Sequence, residues 1–423
     1  MSENLTLGIA AVSTAAVILR PFNWPEAIWA VAGAALLLAL GLLSPHLALA
    51  GVARGTDVYL FLIGMMLLAE IARYEGLFDW LAVQAMRHAE GSPLRLFALV
   101  YGVGVVVTVF LSNDATAVVM TPAVAAAMRT ARIDKPLPYL LVCALVANAA
   151  SFVLPISNPA NLVVQGTAMP PLLQWLAIFT LPSLAAIAAT YAALRLTFRS
   201  HFAGAIASDI AEAPLSRGAI TAALGIGATA IGLMIASALG RDLGLPTAIA
   251  GIATTLVVAI IGKEGAPTML RHVMRDISWG VLPLVAGLFV LVQALEGTGV
   301  LTALVDHLQA LARQSVPAAS WITGLVTAFT CNVTNNLPAG LIAGSTVQAA
   351  QVPDAIRAAA VIGIDIGPNL SITGSLATIL WLTALRREGH GVSAWAFLKI
   401  GFIAMPPALL LALGALSLQA WFW

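Results

Sequence analysis

Ten stretches of about 20 predominantly apolar residues recur along this chain, and that repetition leaves few folds open. They fall near 4–20, 26–44, 57–73, 137–168, 172–196, 218–239, 246–262, 278–296, 354–383 and 394–420. Helices of that length cross the hydrocarbon layer of a bilayer. Backbone left open there must be satisfied by protein or water, so the crossings are expected to be helical. Charge agrees with this reading. Lys and Arg number 20 and Asp and Glu 19 in 423 residues, 9% of the chain, against about 25% in a soluble domain. A soluble fold with so few charges would expose apolar patches large enough to aggregate. A water-soluble enzyme, a nucleic-acid binder and a disordered scaffold are excluded on that ground, and a net charge of +1 removes any polyelectrolyte role. The expected class is an all-α polytopic membrane protein.

Two further apolar stretches, about 94–131 and 317–348, are interrupted at their middles by Ser112-Asn113-Asp114-Ala115-Thr116 and by Asn332-Val333-Thr334-Asn335-Asn336. Basic residues decide how to read them, because Lys and Arg concentrate on the cytoplasmic side. The first stretch has Arg87 and Arg95 before it and Arg129, Arg132 and Lys135 after it. A stretch that begins and ends on one side is a re-entrant hairpin with its polar tip at mid-membrane. The second, flanked by Arg313 and Arg357, is expected to be its counterpart from the other side. This arrangement leaves only Arg54, Arg241, Arg313 and Arg357 of the 20 basic residues outside. It places both termini outside. Met1-Ser2-Glu3-Asn4 lacks a basic leader, so no cleaved signal peptide is expected. The segments Glu75-to-Arg87 and Gly299-to-Arg313 read as amphipathic helices in the interface. Trp24, Trp29, Trp80 and Trp421-Phe422-Trp423 fit an aromatic belt.

The two halves resemble each other. Glu75-Gly76 matches Glu296-Gly297, Phe110-Leu111-Ser112-Asn113 matches Phe329-Thr330-Cys331-Asn332, and Pro159-Ala160-Asn161-Leu162 matches Pro368-Asn369-Leu370 with one gap. Units five crossings apart are inverted relative to each other. Two inverted-topology repeats with broken helices at mid-membrane are a transporter signature, with the site at the repeat interface. The expected organisation is scaffold helices over 1–56, repeat 1 over 57–198, a cytoplasmic linker over 199–217, scaffold helices over 218–277 and repeat 2 over 278–423.

Four polar breaks carry the chemistry: Ser112–Thr116, Ser157–Asn161, Asn332–Asn336 and Gly367–Thr373. Each contains Asn, with Pro122, Pro159, Pro338 or Pro368 nearby. Pro and Gly end helices and free backbone N–H and C=O groups, half-helix N-termini offer donors, and Asn supplies both a donor and an acceptor. The candidate substrate-binding residues are Ser112, Asn113, Thr116, Asn158, Asn161, Asn332, Thr334, Asn335, Asn336, Pro368 and Asn369. Against this stands the plainer reading that the Asn residues only cap broken helices. Asp114 and Asp365 lie in the same regions. A carboxylate at the bilayer centre costs several kcal/mol unless it is protonated, paired or hydrated. No basic residue falls at a comparable depth, so both acids are candidates for proton coupling.

Other residues read more plainly. Glu70 and Arg73 fit an i,i+3 pair. His307 lies on an amphipathic face. Cys143 and Cys331 are too few for a disulfide framework or thiolate cluster, and Cys331, beside the second tip, fits a space-filling role. No C-x-x-C, H-E-x-x-H or Walker glycine loop occurs, and neither a metal site nor a cofactor is expected.

The run from Phe110 to Pro122, Ser157-Asn-Pro-Ala-Asn-Leu-Val163, Asn335-Asn-Leu-Pro338 and Ile362 through Leu382 resemble the arsenical pump membrane proteins. These are bacterial arsenite and antimonite efflux permeases of the ion transporter superfamily. The resemblance extends from about Asp57 to the C-terminus, and Gly374-Ser-Leu-Ala-Thr-Ile-Leu-Trp-Leu382 is its most specific piece. It implies a scaffold plus a mobile transport domain in the bacterial inner membrane. It also implies proton-driven export of trivalent metalloids and, in some members, association with a soluble arsenite-stimulated ATPase. The family's site region carries over to Asn113, Asp114, Thr116, Asn158, Asn161, Asn335, Asn336 and Asp365 through Asn369. A sodium/proton antiporter of the same superfamily, an organic-anion carrier and a channel are the alternatives.

Overall fold

The computed structural model describes residues 2–166, 169–207, 210, 214–261 and 265–419, and among them every regular element is helical. The first half comprises α1 (Ser2–Leu19), α2 (Glu26–Ala39), α3 (Pro45–Arg54), α4 (Thr56–Tyr74), α5 (Leu77–His88), α6 (Pro93–Phe110), α7 (Asn113–Ala115), a π-helical turn (Thr116–Met120), α8 (Thr121–Thr130), α9 (Leu137–Ala149), α10 (Pro159–Gln165) and α11 (Leu172–Thr197). The second comprises α12 (Arg217–Ala238), α13 (Gly244–Ile261), α14 (Ala266–Asp276), α15 (Val281–Glu296), α16 (Val300–Gln314), α17 (Val316–Thr334), α18 (Asn336–Ala350), α19 (Asp354–Ile366), α20 (Leu376–Arg387) and α21 (Ala394–Gln419). Trp421-Phe422-Trp423 lie outside the described residues, whereas Trp24 and Trp29 stack at 5.7 Å beside the α1–α2 turn.

The halves correspond helix by helix as two inverted repeats. α4 packs along α13 as α15 packs along α2, α1 lies on α2 as α12 lies on α13, and α11 pairs with its own equivalent, α21. Gly76 (φ +78) and Gly299 (φ +75) occupy the left-handed turn that starts α5 and α16. Ser92 and Ser315 cap α6 and α17, each followed closely by a proline. These positions correct the register of the repeat read from residue identity. Gly76 pairs with Gly299 rather than Gly297, Ser112 with Asn335, and Asn158 with Ser375 rather than with the residue before Pro368. Ser and Asn serve equally as N-caps, so the structure keeps the capping position while the residue type drifts.

On length and composition eight helices among the described residues could cross a membrane, or nine if α3 and α4, bent by 46° at their junction, form one span. The expected ten differ for a physical reason. The stretches 137–168 and 354–383 are each split into two short helices, and α2 is 14 residues long. α6 and α17, expected as the first arms of hairpins, are by contrast 18 and 19 residues long. Each is followed by a chain that turns back. Val100 and Val103 of α6 share a crevice with Met120, Ala123 and Val124. The linker binds both ends of this first hairpin at once, with the Ile206 N–H donating to Gly91 and the Ala207 N–H to Ala131. In the second, Gln309 of α16 donates to the carbonyl of Ala350, which ties the end of α18 to the helix that leads into α17.

Close backbone approach, in keeping with small residues at helix interfaces in lipid, fixes the α4–α13 pair. A Cβ on Gly64 of α4 would stand 2.2 Å from the Thr247 carbonyl oxygen of α13, and one on Gly251 2.5 Å from the Gly64 oxygen. Large side chains on the outer faces, such as Leu224, Ile231, Ile260 and Phe402, are exposed, the pattern of a surface solvated by lipid.

Candidate functional site

Two broken helices cross at the centre of the molecule, and each caps itself while gripping the other. Asn158 is the N-cap of α10, where its Oδ1 accepts from the Ala160 N–H at 3.0 Å. Its Nδ2 donates to Asp365 Oδ1 at 2.7 Å. Asp365 sits in the last turn of α19 and is fully buried. The repeat-related pair is Ser375 and Asn148. Ser375 caps α20 by accepting from the Thr378 N–H at 3.1 Å, and its hydroxyl donates to Asn148 Oδ1 at 3.2 Å. Asn148 lies in the last turn of α9. It donates in turn to Asn369 Oδ1 at 3.0 Å and Thr378 Oγ1 at 3.2 Å, and Asn369 donates to the Leu145 carbonyl at 2.9 Å.

Each hairpin tip is wired to the break of its own repeat. Ser157 donates to the Val109 carbonyl at 3.0 Å, beside the first tip. There Ser112 accepts from the Ala115 N–H at 3.2 Å, Asn113 accepts from the Asp114 N–H at 2.9 Å, and Thr116 bonds Thr108 at 2.8 Å. At the second tip Asn332 donates to the Gly367 carbonyl at 3.0 Å and accepts from Ser371 at 2.7 Å, and Asn335 donates to the Thr373 carbonyl at 3.2 Å. Thr334 bonds back to Thr330 at 3.0 Å. Asn335 holds φ +73 and ψ 155, a region close to glycine-only whose occupation costs about 1–3 kcal/mol and which concentrates at functional sites. The five-residue π turn after the first tip belongs to the same class of feature.

Asn161 donates to the carbonyls of Ser151 at 2.9 Å and of Leu154 and Pro155 at 3.4 Å, and so braces its own loop. Pro368 lies inside the short 3-10 turn Gly367–Leu370. Three buried acceptors in or beside these breaks have no hydrogen-bond partner among the described residues: Asn161 Oδ1, Asn336 Oδ1 and Asp365 Oδ2. Buried polar atoms left so are uncommon and mark a place where a ligand, an ion or water completes the bonding.

Asp114 stands apart from this network. It lines a crevice between the first tip (Ser112, Val118), Pro159, and α4 with the start of α15. No ion pair involves Asp114 or Asp365 among the described residues. At the rim of the crevice Glu70 pairs with Arg73, the i,i+3 contact read from the sequence, and Arg73 also reaches Asp276 at 2.8 Å.

Both thiols are fully buried and free. Cys331 faces α19, 3.7 Å from the Ile364 carbonyl oxygen, which fits the space-filling role. The sequence reading missed Asn148, Ser375 and Thr378. The available signal was Asn148 itself, an isolated amide in an apolar run, at the position that Asp365 holds in the other repeat.

Arsenical pump membrane proteins of Yersinia enterocolitica and Escherichia coli (strain K12) are each 27% identical to this chain over 364 residues, covering 84% of it and 85% of the relative. The crystal structure of the Alcanivorax borkumensis YdaH transporter, described as having an unusual topology, superposes with a TM-score of 0.59 at 15% identity, covering 89% of this chain and 87% of that one. The multi-pass helical fold is thereby shared. Residues 14–364 match the citrate transporter family, CitMHS, and the chain belongs to that family.

Proposed function

We propose that this transporter exports trivalent metalloids, arsenite and antimonite, from the bacterial cytoplasm across the inner membrane in exchange for protons by alternating access. The reading is carried by Asp114, an unpaired carboxyl lining a crevice where the first hairpin tip and Pro159 face α4 and α15. In this reading α1–α3 and α12–α14 form the scaffold, the hairpins re-enter the membrane, and both termini lie outside. Arsenous acid is an uncharged trihydroxy solute at neutral pH. Its three O–H groups suit the unpartnered acceptors Asn161 Oδ1, Asn336 Oδ1 and Asp365 Oδ2. Relatives named for arsenical pumping support the substrate class.

The family description favours a second reading, an organic-anion carrier for citrate. Against it, the crevice is lined by Glu70, Asp114 and Asp276, with Arg73 paired to Glu70 and Asp276, and like charge at close range repels a multiply charged anion.

Everted membrane vesicles decide between them. Arsenite accumulation is measured with and without an imposed proton gradient, in sodium and potassium chloride, with citrate in parallel. Uptake of arsenite that needs the gradient and ignores sodium is expected. Citrate uptake without arsenite uptake, or sodium that dissipates the gradient with no metalloid movement, would overturn the proposal. A soluble ATPase partner belongs to the same proposal, and its test is arsenite-stimulated ATP hydrolysis recruited to vesicles that contain the protein.

A further inference from the structure

A second pocket, sharing no lining residue with the Asp114 crevice, lies between the end of α10, the start of α11 and the start of α19. Its polar lining is Gln165, Gln174, Asp354 and Arg357, and Met169 and Phe179 supply apolar wall. Asp354 is already engaged, accepting from Gln174 at 3.2 Å and from Arg357 at 3.4 Å. Two polar atoms are not. Gln165 Oε1 and Arg357 Nε are buried without a hydrogen-bond partner among the described residues, and Gln165 is only 2% exposed. An orphaned buried acceptor is costly, so a site that keeps one beside open space calls for an occupant.

The chemistry of that occupant follows from the pair. Gln165 Oε1 requires a donor, Arg357 Nε–H requires an acceptor, and Asp354 with Arg357 leaves no net charge in the lining. An anion would meet the Asp354 carboxylate and a cation the Arg357 guanidinium. A neutral solute bearing hydroxyl groups satisfies both orphans at once, because each O–H donates and accepts.

Repeat symmetry does not account for this polarity. The register of α9 and α10 on α19 and α20 is constant, since Leu137 and Asp354 start, Ala149 and Ile366 end, and Asn158 and Ser375 cap corresponding helices. α11 and α21 likewise correspond over 26 residues each. In the other repeat the equivalents of Gln165, Asp354, Arg357 and Gln174 are Leu382, Leu137, Leu140 and Ala396. The polar set was therefore built at one end only. That end carries Arg357, one of four basic residues that the charge distribution assigns outside.

We infer that this pocket is an outward-side binding site for a small neutral oxyacid, a station that the exported solute occupies after leaving the central breaks. The inference rests on the export reading above and adds to it a site with its own residues, Gln165 and Arg357.

Arsenite exchange is measured from each face, in right-side-out vesicles for the outer face and everted vesicles for the cytoplasmic face, with Gln165→Leu and Arg357→Met. Both variants are expected to raise half-saturation at the outer face five-fold or more and to leave it within two-fold at the cytoplasmic face. Unchanged outer-face half-saturation in both folded variants would overturn the inference. A parallel rise at both faces would overturn it too, since a general structural effect moves both. If the wild-type protein moves no arsenite from either face, the export proposal falls by itself. Calorimetry of arsenous acid with the purified protein then decides the pocket: binding heat lost in Gln165→Leu upholds it, and no heat with the wild type overturns it.

Discussion

Asn158 makes two bonds that sequence reading would assign to different residues: it caps α10 and it holds Asp365. Truncation therefore removes a cap, worth about 1 kcal/mol, and leaves a buried carboxyl unbonded, worth about 1–3 kcal/mol more. Asn158→Ala is expected to melt well below the wild type in detergent, and Asp365→Asn, which keeps an acceptor for Asn158 Nδ2, to melt closer to it. The reverse order would show that the Asn158–Asp365 bond does not support the crossing. For Asp114, with no side-chain partner to lose, stability and transport should separate. Asp114→Asn is expected to stay folded in membranes while proton-gradient-driven arsenite uptake drops at least ten-fold, and wild-type uptake by a well-folded variant would remove it from coupling. Asn113→Ala and Asn335→Ala are expected to raise the apparent half-saturation for arsenite several-fold with less effect on the proton dependence. The candidate residues were legible because polar residues inside apolar runs stand out. Their partners were not, because hydrogen bonds such as Asn148 to Asn369, over 200 residues apart in sequence, depend on how two breaks cross.

At the level of the helix, the breaks were readable and the lengths of their flanking arms were not. Polar tips and prolines locate where backbone opens, whereas a continuous apolar run says nothing about which part packs back on α5 or α16. The closely packed pair α4 and α13 offers a direct test of packing. A side chain at Gly251 would enter the Gly64 backbone of the facing helix, which cannot swing aside. Gly251→Leu is expected to destabilise the protein by about 1–3 kcal/mol or more through overpacking, while Gly227→Leu, with open space around it, should melt near the wild type. Equal melting of the two variants would mean that the close α4–α13 contact contributes nothing to stability.

Across the whole molecule the orientation can be checked by labelling, because both native thiols are buried and give little background. Glu90→Cys, in the turn before the first hairpin, is expected to react with a membrane-impermeant maleimide only in everted vesicles. Asp306→Cys, on α16, is expected to react only from outside. Labelling of both positions from one side would contradict the inverted arrangement of the two interfacial helices. The sequence by itself determined that the chain lives in lipid, that its halves repeat and where its helices break, since these depend on local composition, charge asymmetry and the conformational limits of Pro, Gly and Asn. Only the tertiary structure decided the register of the repeat, the pairing of each break with its opposite, and the separation of Asp114 from the buried Asp365 network. Those outcomes depend on three-dimensional packing between segments far apart in sequence, and a capping position can be kept while its residue changes from Ser to Asn.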